Sequence, residues 1–259
     1  MDRDGATTLK FLRLQLAMLT GLFVVSAALG GYALARLSLP RMELWFLGSF
    51  GIIGFQALLS WRHLAENAAP GSEVPRPAIG IANSITLVRG FSVALLGGFA
   101  LTNARTDVLA HLPALLYTIN LLLDLADGAV ARATEKRSAL GEVLEHELDS
   151  LGVLVASAVL VSTGTLGLWF VAVGVARYLF VGSAWIRRSL GKPSYPLVHS
   201  RSGRLLAGSM MAFLAVSLWP AIPAELIRAV APPLSAFFLA GFARDWLVVT
   251  GRLRGQAAR

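Results

Sequence analysis

Eight apolar runs, at about 11–35, 44–61, 79–101, 108–127, 141–161, 168–186, 202–219 and 229–250, dominate the sequence. Each is close to the roughly 20 helical residues that cross the hydrocarbon core of a bilayer. Backbone inside that core must satisfy its own hydrogen bonds, and runs this long do so as helices. The chain is therefore expected to be all-α and polytopic. Composition agrees, with 56% hydrophobic and only 15% charged residues, against about 25% charged in soluble domains. The first run follows Lys10 and Arg13 and ends near Ala33-Leu34-Ala35, which resembles a leader cleavage site. Leader cores are about 7–15 residues long. This run is longer, so a retained span is expected.

With the N-terminus inside, the inner segments carry fourteen Lys and Arg residues and the outer segments four. Basic residues collect on the cytoplasmic side. The expected product is an integral protein of the plasma (bacterial inner) membrane, with both termini and the segment after the fourth run in the cytoplasm. The net charge of +8 is spread between apolar runs, which suits anionic lipid headgroups and not nucleic acid. Without cysteine the chain has no disulfide, thiolate metal site or Cys nucleophile. Its four histidines have no zinc-ligand spacing, and no GxGxxG, P-loop or Ser-His-Asp pattern is present.

Ala69-Pro70-Gly71 and Pro75-Arg76-Pro77 break any helix between the second and third runs. That break divides the chain into an N-terminal two-span hairpin with linker, 1–78, and a six-span core with a short tail, 79–259.

Polar residues inside such runs are costly and mark functional positions. Seven of the fifteen acidic residues fall between 124 and 149. Asp124 and Asp127 are three apart at the end of the fourth run, hence on one helical face. Gly128 follows, leaving room for a ligand to approach the backbone. A loop is expected from 128 to 140. Gly141, Glu145 and Asp149 then step by four along the fifth run, again on one face. A hairpin of these two helices gathers four carboxylates at the cytoplasmic surface. Mutual repulsion would force some to protonate unless cations are present. An all-oxygen donor set suits Mg²⁺ or Mn²⁺, and two such ions stabilise an in-line displacement at phosphorus. Arg132 can hold a phosphate oxygen through its planar fork. These residues indicate metal-assisted phosphoryl chemistry on a lipid-side substrate.

Asn83, Thr86 and Arg89 recur every three residues at the start of the third run. Arg89 lies about two turns in and must face a polar cavity or a partner carboxylate. Arg177, near the middle of the sixth run, either neutralises an acidic residue or holds an anionic substrate. His199-Ser200-Arg201-Ser202-Gly203-Arg204 is a basic, hydroxyl-rich stretch at the start of the seventh run. It binds phosphate through Arg201 and Arg204 or simply follows the inside-positive distribution. Arg244 and Asp245 are expected to pair with each other.

The pattern Asp124-x-x-Asp127-Gly128-x-x-Ala131-Arg132, eight residues, Gly141, three residues, Glu145, three residues, Asp149 resembles the signature of the CDP-alcohol phosphotransferases. The family has Asp where this chain has Glu145; the other positions and all spacings match. Asn83-x-x-Thr86-x-x-Arg89 resembles the family's first core helix, and Ser200–Arg204 its basic loop. The resemblance covers about two thirds of the chain and implies a six-span core. It implies that Asp124, Asp127 and Glu145 are metal ligands, with Asp149 a further ligand or the general base. It also implies that Gly128, Ala131, Arg132 and Gly141 line the CDP pocket. The implied reaction moves a phosphatidyl or similar group from a donor such as CDP-diacylglycerol to an alcohol, releasing CMP, in phospholipid biosynthesis by a homodimer. Glu145 motivates an alternative, a CDP-lipid-binding pseudoenzyme. A cation-coupled transporter would place its acidic residues nearer the midplane, and a prenyltransferase would carry two separated Asp-rich sites.

Overall fold

The computed structural model describes residues 3–37, 39–69, 72, 74–102, 107–134, 138–195 and 201–253. Within these, the side chains of 3, 4, 107, 108, 127–134, 201 and 202 lie outside the description. Among the described residues the fold is all-α, with no strand beyond one isolated bridge between Ala68 and Pro75.

The helices are α1 (Arg3–Arg36), α2 (Met42–His63), α3 (Ile81–Thr102), α4 (Asp107–Thr134), α5 (Ala139–Ser162), α6 (Val171–Ser189), α7 (Arg201–Ser217) and α8 (Ala224–Val249). They correspond one for one to the eight apolar runs. Six of them are long and apolar enough to cross a membrane. The other two are α5, which carries Glu145, Glu147 and Asp149 in its first half, and α7, whose 17 residues fall just short. In α5 the interruption in hydropathy thus lies where the carboxylates are.

Helix α4 corrects one expectation. It continues as helix to Thr134, where the sequence suggested a loop from 128. A glycine inside a helix costs about 1 kcal/mol relative to alanine. The helix-forming run Ala129-Val130-Ala131-Arg132-Ala133 offsets that cost, so Gly128 and Arg132 ride on a helix.

Helix α3 is the centre of the bundle, packed against α2, α4 and α5; α5 also meets α6 and α7, and α8 packs on α6 and α7. Lipid tails are as apolar as leucine, so helices in a bilayer associate through close packing and polar contacts and not through exclusion of water. Glycines on α3 allow that approach. A side chain at Gly98 would collide with the Trp45 ring of α2, and one at Gly90 with the Gln56 amide. Gln56, itself buried, donates from Nε2 to the Leu87 carbonyl at 2.9 Å. Gly152 of α5 sits where α3, α4 and α5 meet, with Val93, Asn120 and Tyr117 within ordinary van der Waals contact of a Cβ built there. Helix α1 lies outside α2 and reaches α3 through stacked rings, Phe23 on Phe91 with centroids 4.7 Å apart.

Candidate active site

The first three turns of α3 carry Asn83, Thr86 and Arg89, all buried. The Arg89 side chain is only 1% exposed. An arginine so deep requires negative partners, and two are found among the described residues. Its Nη2 lies 2.6 Å from Asp124 Oδ1 on α4 and donates to Asp149 Oδ1 on α5. One guanidinium therefore joins three helices. The two carboxylates are 26% and 30% exposed, so both remain reachable from the open side. The sequence placed Asp124 and Asp149 in one cluster and left Arg89 to face a polar cavity or a carboxylate; the structure brings all three together.

The remaining signature positions are placed less completely. Glu145 stands exposed one turn before Asp149 on α5. Asp127, Gly128, Ala131 and Arg132 lie on the last turns of α4, and their side chains fall outside the described residues, as does that of Arg201. Arg204 is exposed on the first turn of α7. The Thr86 hydroxyl donates to the Ala82 carbonyl at 3.1 Å. Gly141 has a reason to lack a side chain that the sequence did not disclose: a Cβ there would come within 2.6 Å of Asn83 Oδ1. The small residue permits close contact between α3 and α5.

Among the described residues no group of three or more His, Asp or Glu side chains is arranged to hold a metal ion. The donor set nevertheless fits one. Asp124 and Asp149 converge on a single point of positive charge, and every candidate ligand is a carboxylate oxygen, the donor that Mg²⁺ and Mn²⁺ prefer.

Beside this cluster, α5, α6, α7 and α8 enclose a cavity of about 440 Å³. Its polar lining includes His146, Asp149, Ser150, Arg177, Arg244 and Asp245, and its apolar lining Val153, Val173, Met211 and Phe238. Arg177 is paired with Glu147, Nη2 to Oε1 at 2.9 Å. Of the two roles left open for Arg177, neutralising an acidic residue is therefore realised, and its place on the cavity wall keeps it beside any ligand. Arg244 and Asp245 pair as expected, at 3.0 Å. Sequence reasoning did not single out Glu147 as a partner or Ser150 as a wall residue. Their only signal was membership of the acidic stretch and a position near Asp149.

The family model for CDP-alcohol phosphatidyltransferase matches residues 79–253. The chain belongs to this family. No curated protein matches the chain. The matched segment contains α3 to α8, and with them Arg89, both carboxylates and the cavity. Family membership and the apolar helices together make the protein a membrane-integral transferase of the CDP-alcohol phosphotransferase type, at work in lipid metabolism.

Proposed function

We propose that the protein transfers a phosphatidyl, or similarly substituted phosphoryl, group from CDP-diacylglycerol or a like donor to an alcohol, releasing CMP. The observation that carries this reading is the convergence of Asp124 and Asp149 on Arg89, with Asp149 also lining a cavity that has both charged and apolar walls. A lipid donor needs both, charge for the pyrophosphate and apolar surface for the acyl chains.

In this reading Asp124, Asp127, Glu145 and Asp149 hold Mg²⁺ or Mn²⁺, with two ions in the site. When bound, the ions supply positive charge to the donor phosphates. The acceptor hydroxyl oxygen forms a bond to the lipid-side phosphorus, and the bridging P–O bond breaks toward CMP, which leaves with the electron pair. Asp149, at the cavity wall, takes the hydroxyl proton. Arg132, Gly128, Ala131 and Gly141 surround the nucleotide, with Asn83 and Thr86 beside them. Arg177, Arg201 and Arg204 attract the anionic groups of donor or acceptor. The active site and both termini face the cytoplasm, the protein is a homodimer, and the division at residue 78 separates an N-terminal unit from the catalytic core.

The deciding experiment incubates purified protein with CDP-diacylglycerol, Mg²⁺ or Mn²⁺ and a panel of alcohols, and measures CMP. Release that depends on both metal and alcohol is expected. Full turnover after exhaustive chelation would remove the metal from the mechanism. Binding of CDP-diacylglycerol with no CMP from any acceptor would instead support the pseudoenzyme reading that Glu145 motivates.

A further inference from the structure

The segment between α2 and α3 looks like a linker in sequence, rich in proline and glycine. Asn67 within it is built as a junction. Its side chain is fully buried, and both its main chain and its side chain are engaged. The backbone N–H donates to Leu64 O at 3.2 Å, and the carbonyl accepts from Arg76 N at 2.7 Å. Nδ2 donates to Ala78 O at 2.8 Å, and Oδ1 accepts from Asn83 Nδ2 at 3.0 Å.

Asn83 passes this contact on. Its Nδ2 is also within hydrogen-bond distance of Ile79 O (2.9 Å) and Ser138 Oγ (3.1 Å); with two hydrogens it can serve two of these three acceptors. The Ser138 hydroxyl can donate back to Asn83 Oδ1 at 3.4 Å. Ser138 is the N-cap of α5, where Oγ accepts from Gly141 N at 3.1 Å. Asn83 Oδ1 also fills the space beside Gly141. Three buried polar side chains thus connect the linker, the start of α3 and the first turn of α5.

We propose that Asn67, which precedes the family-matched segment, is a positioning residue: by holding Asn83 against the Ser138 cap, it sets where α5 begins and so where Glu145 and Asp149 stand. The inference rests on the transferase reading only for its catalytic consequence. Besides their apolar packing, Asn83 to Ser138 and Arg89 to Asp149 are polar links between α3 and the first half of α5 among the described residues. Gly141 and Asp149 are separated by about 12 Å of rigid helix, so displacement at the cap is carried to the carboxylates. A misplacement of about 1 Å distant from the chemistry is enough to reduce turnover severely. On this view the N-terminal hairpin contributes to the site through its linker and is more than a membrane anchor.

The test uses the full chain in lipid nanodiscs, with Asn67→Ala, Ser138→Ala, their double variant and Ser138→Thr. Amide hydrogen exchange is followed over 139–145 and over 151–162, together with kcat and KM for CMP release. In Asn67→Ala and Ser138→Ala, exchange over 139–145 should be about tenfold faster while 151–162 is unchanged, since opening would be local. The kcat should fall about tenfold with donor KM nearly constant. The double variant should be no worse than the poorer single one, because residues acting through one network are not additive. Ser138→Thr, which keeps a capping hydroxyl, should restore both readouts. A folded Asn67→Ala with unchanged exchange over 139–145 and unchanged kcat overturns the proposal. So does exchange that rises equally along all of α5, or losses that multiply in the double variant. Should Asn67→Ala fail to fold, Ser138→Ala against Ser138→Thr decides by the same criteria. If the wild type releases no CMP, the transferase reading fails, and the exchange pattern still decides whether Asn67 sets the start of α5.

Discussion

Helices α1 and α3 are both apolar enough and long enough to cross a membrane. Their surroundings differ completely: 67% of the apolar window of α3 is buried in the bundle, against 22% for α1. The polar content of the two explains the difference. Helix α3 carries Asn83, Thr86, Arg89 and Ser92 on buried positions, and each of these needs a partner that lipid cannot provide. Along α1 the exposed residues include Phe11, Leu14, Met18, Leu22 and Leu29, which tolerate lipid or protein equally. Hydropathy therefore measures whether a segment can enter the membrane; its polar residues and glycines decide how deep in the protein it sits.

The largest effect should come from exchanging the arginines of the two helices. Arg89→Met removes the cation shared by Asp124 and Asp149, and loss of one member of a buried ion pair costs about 3–5 kcal/mol. Arg13 of α1 lies over the Trp61 ring at 4.9 Å, a contact worth about 0.5–1 kcal/mol at an exposed site. Thermal unfolding in detergent should show Arg89→Met far less stable and Arg13→Met only slightly so. Equal losses would break the contrast between the helices.

Next come the two signature carboxylates of α4. Asp124→Asn and Asp127→Asn should each lower CMP release by at least about 100-fold, roughly 2.7 kcal/mol of transition-state stabilisation, with protein still present in the membrane at normal levels. If the variants disappear from the membrane instead, the carboxylates serve folding.

A third test concerns Glu145, where the chain departs from the family pattern. The extra methylene extends the carboxylate by about one bond length, about 1.5 Å, which Mg²⁺ with its strict octahedral geometry tolerates poorly. Glu145→Gln is expected to abolish CMP release and Glu145→Asp to retain part of it, or to change the preferred metal, in assays comparing Mg²⁺ with Mn²⁺. A fully active Glu145→Gln would show that this side chain is not a ligand.

The smallest effects sharpen the packing side of the comparison. Gly98→Leu on α3 drives a side chain into Trp45, whereas Gly21 of α1 has nothing within 4 Å of its would-be Cβ. Overpacking costs about 1–3 kcal/mol, while a surface change is usually within about 0.5 kcal/mol. Unfolding midpoints of Gly98→Leu and Gly21→Leu should separate accordingly.

The number of helices, their order and the spacing of the signature carboxylates were determined by the sequence alone. An apolar run of membrane length has only one way to satisfy its backbone, and Asp-x-x-Asp or Gly-x-x-x-Glu-x-x-x-Asp on a helix can only share a face. That Arg89 faces a polar cavity or a carboxylate and not lipid was also legible, since lipid at that depth cannot neutralise it. Three things were decided only by tertiary structure: that both Asp124 and Asp149 are its partners, that Arg177 takes Glu147, and that Asn67 reaches the cap of α5 through Asn83. Helix α4 running on through Gly128 is a separate, local matter, because a single glycine is a weak stop and neighbouring propensity overrides it. The three tertiary decisions share one physical reason. In a bilayer, lipid and protein interior are equally apolar, so periodicity that would reveal the buried face of a soluble helix is nearly silent, and the choice among neighbours falls to close contacts and polar pairs made between residues far apart in the chain.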